Sequence, residues 1–200
     1  MENKLEPRLA EAREGKRTVY FADAAHFVWG AFLGYLWSIV RIFVPTPSGR
    51  KRYNVFGMIN AITHDLLYIC NETYINSLTV CDLLRQVRDR HRHRDTNPVT
   101  VVLDNAKYQC CTLVKNLAAE LNIELLFLPS YSPNLNIIER YWKWLKKDCL
   151  NCKYYDSFIK FREAIDNALT KTVDGKNQKE LDKFLNLKFQ LFNNAIYNRA

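Results

Sequence analysis

The stretch VTVVLDNAKYQCCTLVKNLAAELNIELLFL, residues 99–128, decides the fold class of this 200-residue chain. Its first part, VTVVLD (99–104), is a continuous apolar run that ends in an acid, which is typical of a strand buried on both faces. Residues 108–121 place apolar side chains at helical spacing, and IELLFL (123–128) is a second buried strand. A strand, a helix and a strand in this order predict part of a parallel sheet with helices on its faces.

The sequence before this unit predicts an antiparallel meander of four strands. The candidates are TVYFADA (18–24), LWSIVRIFV (36–44), YNVFGMINAIT (53–63) and LLYICNE (66–72). Amphipathic helices are predicted over residues 75–94 and 134–150, and two or three more follow in residues 153–200. The predicted fold class is therefore α/β, with a mixed sheet flanked by helices.

Composition and charge limit the class of protein. Apolar residues make up 48% and charged residues 25% of the chain, as in globular domains. Lys and Arg number 29 against 21 Asp and Glu, and the net charge of +8 favours a polyanionic partner such as nucleic acid. The longest apolar run, residues 27–40, is shorter than the roughly 20 residues of a membrane span and is interpreted as buried hairpin strands. The charged N-terminus lacks the apolar core of a signal peptide, so a cytoplasmic location is predicted.

The cysteines do not indicate a zinc site. Cys149 and Cys152 form a C-x-x-C pair, but no second pair follows at ligand spacing. Without a secretory signal, the pattern favours reduced thiols.

Three acids stand where a reaction could use them. Asp23 and Asp104 close predicted strands, and Glu139 lies in the first turns of the helix predicted over residues 134–150. Buried carboxylates are costly unless they are paired or bind a metal, and carboxylate oxygens suit Mg²⁺ or Mn²⁺. Two such ions support phosphoryl transfer. The alternative is that each acid is a cap or a surface residue, with Glu139 paired to Lys143, and spacing alone leaves both interpretations open.

Four segments resemble the catalytic domain of DDE transposases, in particular the bacterial insertion-sequence branch of the mariner-like superfamily. They are YFADAAHFVWGAFLGYLW (20–37), SGRKRYNVFGMINAIT (48–63), VTVVLDNAKYQ (99–109) and LLFLPSYSPNLNIIERYWKWLKK (125–147). The last segment resembles the proline–asparagine loop and glutamate helix of that family along its whole length. Thirty-four residues, 105–138, separate Asp104 from Glu139, as in the family members with a D-x34-E ending.

The resemblance implies a ribonuclease H-like fold and a two-metal mechanism. Asp23, Asp104 and Glu139 would be the catalytic acids and would hold two Mg²⁺ or Mn²⁺ ions. The implied reaction is cleavage of DNA at transposon ends, followed by attack of the freed 3′-hydroxyl on target DNA. Many relatives carry Glu directly after the first acid, whereas this chain has Ala24.

The resemblance also implies double-stranded DNA as the partner, a homodimer, and a nucleoid-associated protein in the cytoplasm. The candidate DNA contacts are Arg50, Lys51, Arg52, Arg140, Lys143, Lys146 and Lys147.

Three domain segments are expected. Residues 18–150 form the catalytic domain, residues 151–200 extend it with helices, and residues 1–17 are a linker or the tail of a missing N-terminal DNA-binding region. Relatives carry a helix-turn-helix region that 17 residues cannot hold, so the chain is expected to be the second half of a split reading frame or a truncated remnant. Two other functions stay open: a ribonuclease H-like nuclease without strand transfer, and a catalytically silent DNA-binding or dimerisation remnant.

Overall fold

A computed structural model describes residues 2–30, 38–41, 43, 45, 51–91, 97–129 and 135–187. Arg50, one of the candidate DNA contacts, lies outside these residues. The elements are α1 (Glu2–Arg13), β1 (Thr18–Val28), β2 (Arg52–Asn60), β3 (Leu66–Asn71), α2 (Ser77–His91), β4 (Val99–Leu103), α3 (Thr112–Glu120), β5 (Ile123–Phe127), α4 (Ile137–Cys149), α5 (Phe158–Val173) and α6 (Gln178–Phe184). In the described part of the chain, no helix is long and apolar enough to cross a membrane.

The five strands form one mixed sheet in the order β3-β2-β1-β4-β5. Strand β2 pairs antiparallel with β1 and with β3, and β4 pairs parallel with β1 and with β5. Helix α2 precedes β4 in the chain, and helix α3 connects β4 to β5. The strand–helix–strand unit over residues 99–128 is thus present as predicted. The predicted α/β class with a mixed sheet and flanking helices is confirmed.

Alternating side chains of the strands form two apolar layers. On one face, Phe21 and Val102 belong to the core that includes residues of α4 and α5. On the other face, Tyr20 and Val101 pack in the layer that contains residues of α2 and α3. Because side chains alternate along a strand, Asp23 and Asp104 continue the rows of Phe21 and Val102 and face the side of α4.

The predicted four-strand meander is wrong in its second strand, and three of its four strands are present. Of the candidate at residues 36–44, the described residues 38–41 and 43 are in no strand, and Ile39 and Val40 are exposed rather than buried in a hairpin. The physical reason is that β1 pairs directly with β2. Val28 lies opposite Arg52, and the Trp29 amide donates to the Lys51 carbonyl at 3.0 Å.

Helix α1 is packed into the core, although residues 1–17 were expected to have little to bury. Leu5, Leu9 and Ala12 recur at helical spacing and are buried in the layer that also contains residues of α4. Arg8 and Arg17 form ion pairs with Glu124 on β5 at 2.7 and 2.9 Å. These residues therefore contribute to the domain, and their relation to an N-terminal DNA-binding region stays a prediction.

Candidate active site

Asp23 and Asp104 lie on neighbouring strands at the point where those strands separate. Asp23 is in the interior of β1, not at its end as predicted, because β1 continues to Val28 along β2. The parallel ladder between β1 and β4, however, has its last pair at Phe21 and Val102. Each acid lies two residues after its member of that pair. The two side chains are therefore neighbours on the same face of the sheet, at a point where β1 and the chain after β4 are no longer hydrogen-bonded to each other.

Glu139 reaches this place from helix α4, which packs against β1 and β2. The helix begins after Asn136, and Glu139 lies in its first turn. The buried positions form a stripe along one side of the helix, comprising Ile137, Ile138, Tyr141, Trp142, Trp144, Leu145 and Cys149. Glu139 is half-buried at the border of this stripe.

The three carboxyl groups influence one another electrostatically. Burial, together with the negative charges of Asp104 and Glu139, raises the pKa of Asp23 to about 7 against the lowering effect of the Ala24 amide. Burial also raises the pKa of Asp104. Burial and the charge of Asp104 raise the pKa of Glu139, whereas the charge of Lys143 lowers it. Among the described residues, none of the three acids forms an ion pair, so the Glu139–Lys143 pair of the alternative interpretation is absent there.

Asn136 joins the elements that carry the three acids, and the sequence analysis did not single it out. It is fully buried, and its Nδ2 donates to the carbonyl of Ala22, the residue before Asp23, at 3.4 Å. A hydrogen bond from its side chain lowers the pKa of Asp104. Its side chain makes no capping bond to α4, and its Oδ1 has no partner. The Asn-x-x-Glu spacing would have predicted a helix cap rather than this contact.

Trp142 is a core residue that also borders the site. Its side chain is buried, and the end of the indole lies against Gly57 on β2. Its Nε1 lies near enough to the Asp23 carboxylate to lower the pKa of that group, yet it has no partner at hydrogen-bond geometry. The indole N–H is therefore directed toward the acids without a completed bond.

Tyr108 and Gln109, in the segment after β4, lie on the β4 side of the candidate site. Burial and the charges of Asp23 and Asp104 raise the pKa of Tyr108, and Gln109 Nε2 donates to the Tyr108 hydroxyl at 3.2 Å. In the described part of the chain, the buried side-chain polar atoms without a partner are Gln109 Oε1, Asn136 Oδ1 and Trp142 Nε1. Asn136 and Trp142 approach the aspartates directly, and Gln109 is linked to them through Tyr108, so these atoms could offer partners to a polar ligand.

Most of the candidate DNA contacts are exposed, and three of them also contact other parts of the protein. Lys51, Arg52, Lys143 and Lys147 are exposed, whereas Lys146 is half-buried. The ammonium groups of Lys51 and Lys146 each lie 5.5 Å from the centre of a ring, Phe158 and Phe27 respectively. Arg140 donates to the Asn186 carbonyl at 2.8 Å, so this residue is held against the C-terminal segment.

The donor set of this site fits a hard divalent cation. Asp23, Asp104 and Glu139 supply carboxylate oxygens without a paired cation, and their raised pKa values show that burial disfavours negative charge that a metal ion would neutralise. Within the residues the structure describes, no group of three or more His, Cys, Asp or Glu side chains is close enough to hold a metal ion. Carboxylates that repel one another are expected to converge only when a cation is bound.

A comparison with protein families identifies the chain. The model of the DDE superfamily endonuclease matches residues 18–162, which is most of the sequence. The chain belongs to the DDE superfamily endonuclease family. The family predicted from the sequence is thereby confirmed, although a comparison with curated proteins gave no match.

Solved structures similar to this DDE-family chain include those of Mos1 transposase. The catalytic domain of Mos1 mariner transposase matches with a TM-score of 0.58 and 15% identity, over 96% of this chain and 93% of that chain. The Mos1 mariner paired-end complex with Mn matches with a TM-score of 0.61 and 15% identity, over 96% and 62%. At these identities the likeness establishes the ribonuclease H-like fold. The chain spans about three fifths of the length of the longer Mos1 chain.

Proposed function

We propose that this chain is the catalytic domain of a transposase, which cleaves DNA at transposon ends and joins the freed 3′-hydroxyl to target DNA. The proposal depends chiefly on one observation. Asp23, Asp104 and Glu139 come from β1, the end of β4 and α4, and burial and the charge of Asp104 raise the pKa of both other acids, in a chain of the DDE endonuclease family. Acids from separate elements that raise one another's pKa are expected for a catalytic site rather than for caps or a solvated face.

The proposed cofactor is a pair of Mg²⁺ or Mn²⁺ ions held by Asp23, Asp104 and Glu139. The Mos1 catalytic domain has been solved with Mn and with Mg, which supports the use of either ion here. Bound ions of this kind make the attacking oxygen more nucleophilic and neutralise charge on the leaving oxygen.

The residues of the chain would position the acids and the DNA. Asp23, with a pKa of about 7, holds a proton in a large fraction of metal-free molecules at neutral pH and would release it on metal binding. The exposed Lys51, Arg52, Lys143 and Lys147, with the half-buried Lys146, would bind the phosphate backbone near the acids. Arg50 and Arg140 complete the proposed set of DNA contacts.

The proposed domain arrangement has residues 18–150 as the catalytic domain and residues 151–200 as its helical extension. The hydroxyl of Tyr141 on α4 donates to Thr172 on α5 at 3.1 Å, which supports an extension that belongs to the same domain. We further propose a homodimer that acts on DNA in the nucleoid, with recognition of the transposon ends supplied by a separate N-terminal region.

The test is a cleavage assay with Mn²⁺ on DNA that carries the repeats flanking the gene. The wild-type chain should nick this DNA and produce joined strand-transfer products, and Asp104→Asn should lose both activities by more than about 100-fold. Asp148→Asn, which changes an exposed acid on the same helix as Glu139, should retain them. Cleavage without joined products would indicate a nuclease instead. Equal activity of Asp104→Asn and wild type would refute the carboxylate mechanism.

A further inference from the structure

The indole of Trp142 occupies space that exists only because residue 57 is glycine. Asp23 and Gly57 are directly opposite each other in the β1–β2 ladder, so their side-chain positions lie on the same face of the sheet. A Cβ at residue 57 would lie 2.7 Å from Cη2 and 2.9 Å from Cζ2 of Trp142. The ring therefore rests on bare backbone next to Asp23.

The polar edge of this ring is turned toward the acid. Cζ2 is bonded to the ring carbon that carries Nε1, so the N–H lies on the side of the ring that contacts Gly57. Nε1 is buried and has no partner at hydrogen-bond geometry, and the group it approaches is the Asp23 carboxylate. A buried indole N–H normally has a partner. Packing alone does not account for a tryptophan that leaves its only donor unpaired beside a carboxylate.

We propose that Trp142 is a positioning residue, whose ring packs on Gly57 and whose N–H orients the Asp23 carboxylate for metal binding. This inference rests on the proposed function. The close contact with Gly57 fixes the position of the Trp142 indole. Its N–H then favours one orientation of the Asp23 carboxylate. Groups that hydrogen-bond a metal-binding carboxylate from outside fix its orientation and raise the affinity for the ion.

The experiment compares two tryptophans of helix α4 in the full 200-residue chain. Trp142→Phe keeps an aromatic ring but removes the N–H and the atoms that contact Gly57. Trp144→Phe makes the same chemical change at a buried ring that stacks on Tyr141, with 5.9 Å between centroids. Metal-free protein is titrated with Mn²⁺ alone, and free Mn²⁺ is measured by electron paramagnetic resonance.

The expected result is a Mn²⁺ affinity about 10-fold weaker for Trp142→Phe and within about twofold of wild type for Trp144→Phe. In Mn²⁺-dependent nicking of plasmid DNA, Trp142→Phe should need more Mn²⁺ for half-maximal rate, and saturating Mn²⁺ should restore most of the rate. A loss of structure would lower the rate at every Mn²⁺ concentration. Thermal unfolding of both variants checks that they are folded.

A second pair of variants tests whether Gly57 acts through the ring. Gly57→Ala should weaken Mn²⁺ binding in the wild-type background, because the added Cβ displaces the indole. In the Trp142→Phe background it should add little further loss, because Cη2 and Cζ2 are no longer there. The two changes would then be non-additive, as expected for groups that act through one contact.

The outcomes separate the inference from the proposed function. If the wild type binds no Mn²⁺, or if Asp104→Asn binds it equally well, the proposed function and the inference fall together. If the wild type binds Mn²⁺ through the acids but Trp142→Phe and Trp144→Phe bind it equally, only the inference is refuted. Additive losses for Gly57→Ala and Trp142→Phe would also overturn it.

Discussion

Replacing Asp23 by Asn should stabilise the metal-free protein at alkaline pH. The pKa of this carboxyl is about 7 in the folded chain, against 3.8 for an unperturbed aspartate, with burial as the main cause. One pKa unit corresponds to about 1.4 kcal/mol, so ionised Asp23 costs the folded state ~4 kcal/mol at most. Asparagine has nearly the same shape and carries no charge. We therefore expect Asp23→Asn to raise the free energy of unfolding by roughly 2–4 kcal/mol at pH 8.

The size of this effect changes with pH in a defined window. Between about pH 4 and pH 7 the folded wild type binds a proton at Asp23 that the unfolded chain has already released. Wild-type stability therefore falls as pH rises through this window and levels off above it. At pH 4 the carboxyl is protonated in the folded state, so the advantage of Asp23→Asn should be small there and should grow toward pH 8.

The assay is urea unfolding of both proteins at pH 4, 6 and 8 in the presence of a chelator. Asp148→Asn, which removes an exposed acid on α4, is the control, and its effect on the free energy of unfolding should be small. Mn²⁺ that binds the folded state stabilises it. Because Asp23→Asn removes one of the proposed carboxylate ligands, adding Mn²⁺ at pH 8 should stabilise the wild type more than this variant. An advantage of Asp23→Asn that is equal at pH 4 and pH 8, or a loss of stability at pH 8, would refute the reasoning.

Three further predictions concern packing, hydrogen bonding and DNA contacts. Leu9→Ala should lower the free energy of unfolding by about 2–5 kcal/mol, because Leu9 is fully buried in the core, and an unchanged urea midpoint would show that α1 is not docked. Tyr53→Phe should destabilise by about 1–2 kcal/mol, since its hydroxyl donates to Asp166 at 2.5 Å, and Asp166→Asn in the same background should then add little. Arg52→Gln should weaken DNA binding for all sequences alike and reduce the slope of log affinity against log salt by about 1, which titrations at several salt concentrations would measure and a sequence-dependent loss would contradict.

The parts of the fold that sequence predicted best are those with one dominant physical signal. Strand β4 is buried at every position, and β5 buries Ile123 and Leu126, so both strands carry mainly apolar side chains. The helical periodicity of α4 separated a buried stripe from a charged side and placed Glu139 at the border between them. Such patterns are local, so they can be interpreted without knowledge of the tertiary structure.

Features that depend on contacts between distant residues were harder to predict. Residues 1–17 have a low mean hydropathy, so they were interpreted as a linker. The helical spacing of Leu5, Leu9 and Ala12, which are buried on one side of α1, was therefore missed. The apolar residues Ile39 and Val40 suggested a strand, but β1 pairs directly with β2 and leaves them exposed. No local signal indicates which strands become neighbours, and that choice decides which apolar residues are buried.

The candidate site shows the same division. The types of its three acids and their order along the chain predicted a carboxylate site, although β1 extends five residues beyond Asp23 to Val28. The contacts of Asn136 with Ala22 and Asp104 could not be predicted, because an asparagine before a helix is normally a cap that bonds its own helix. Here the side chain is directed away from that role and toward the acids.

Helix α4 explains how an electrostatically unfavourable site persists in a stable fold. Its first turns bring Asn136, Glu139 and Trp142 to the two strands that carry Asp23 and Asp104. The same helix buries seven side chains in the core, so moving Glu139 away from the other acids would require the helix to leave that core. The repulsion among the acids, at most a few kcal/mol, is too small to do this. The helix therefore keeps Glu139 near the two aspartates without metal, and a divalent cation that draws the three carboxylates together would relieve their repulsion.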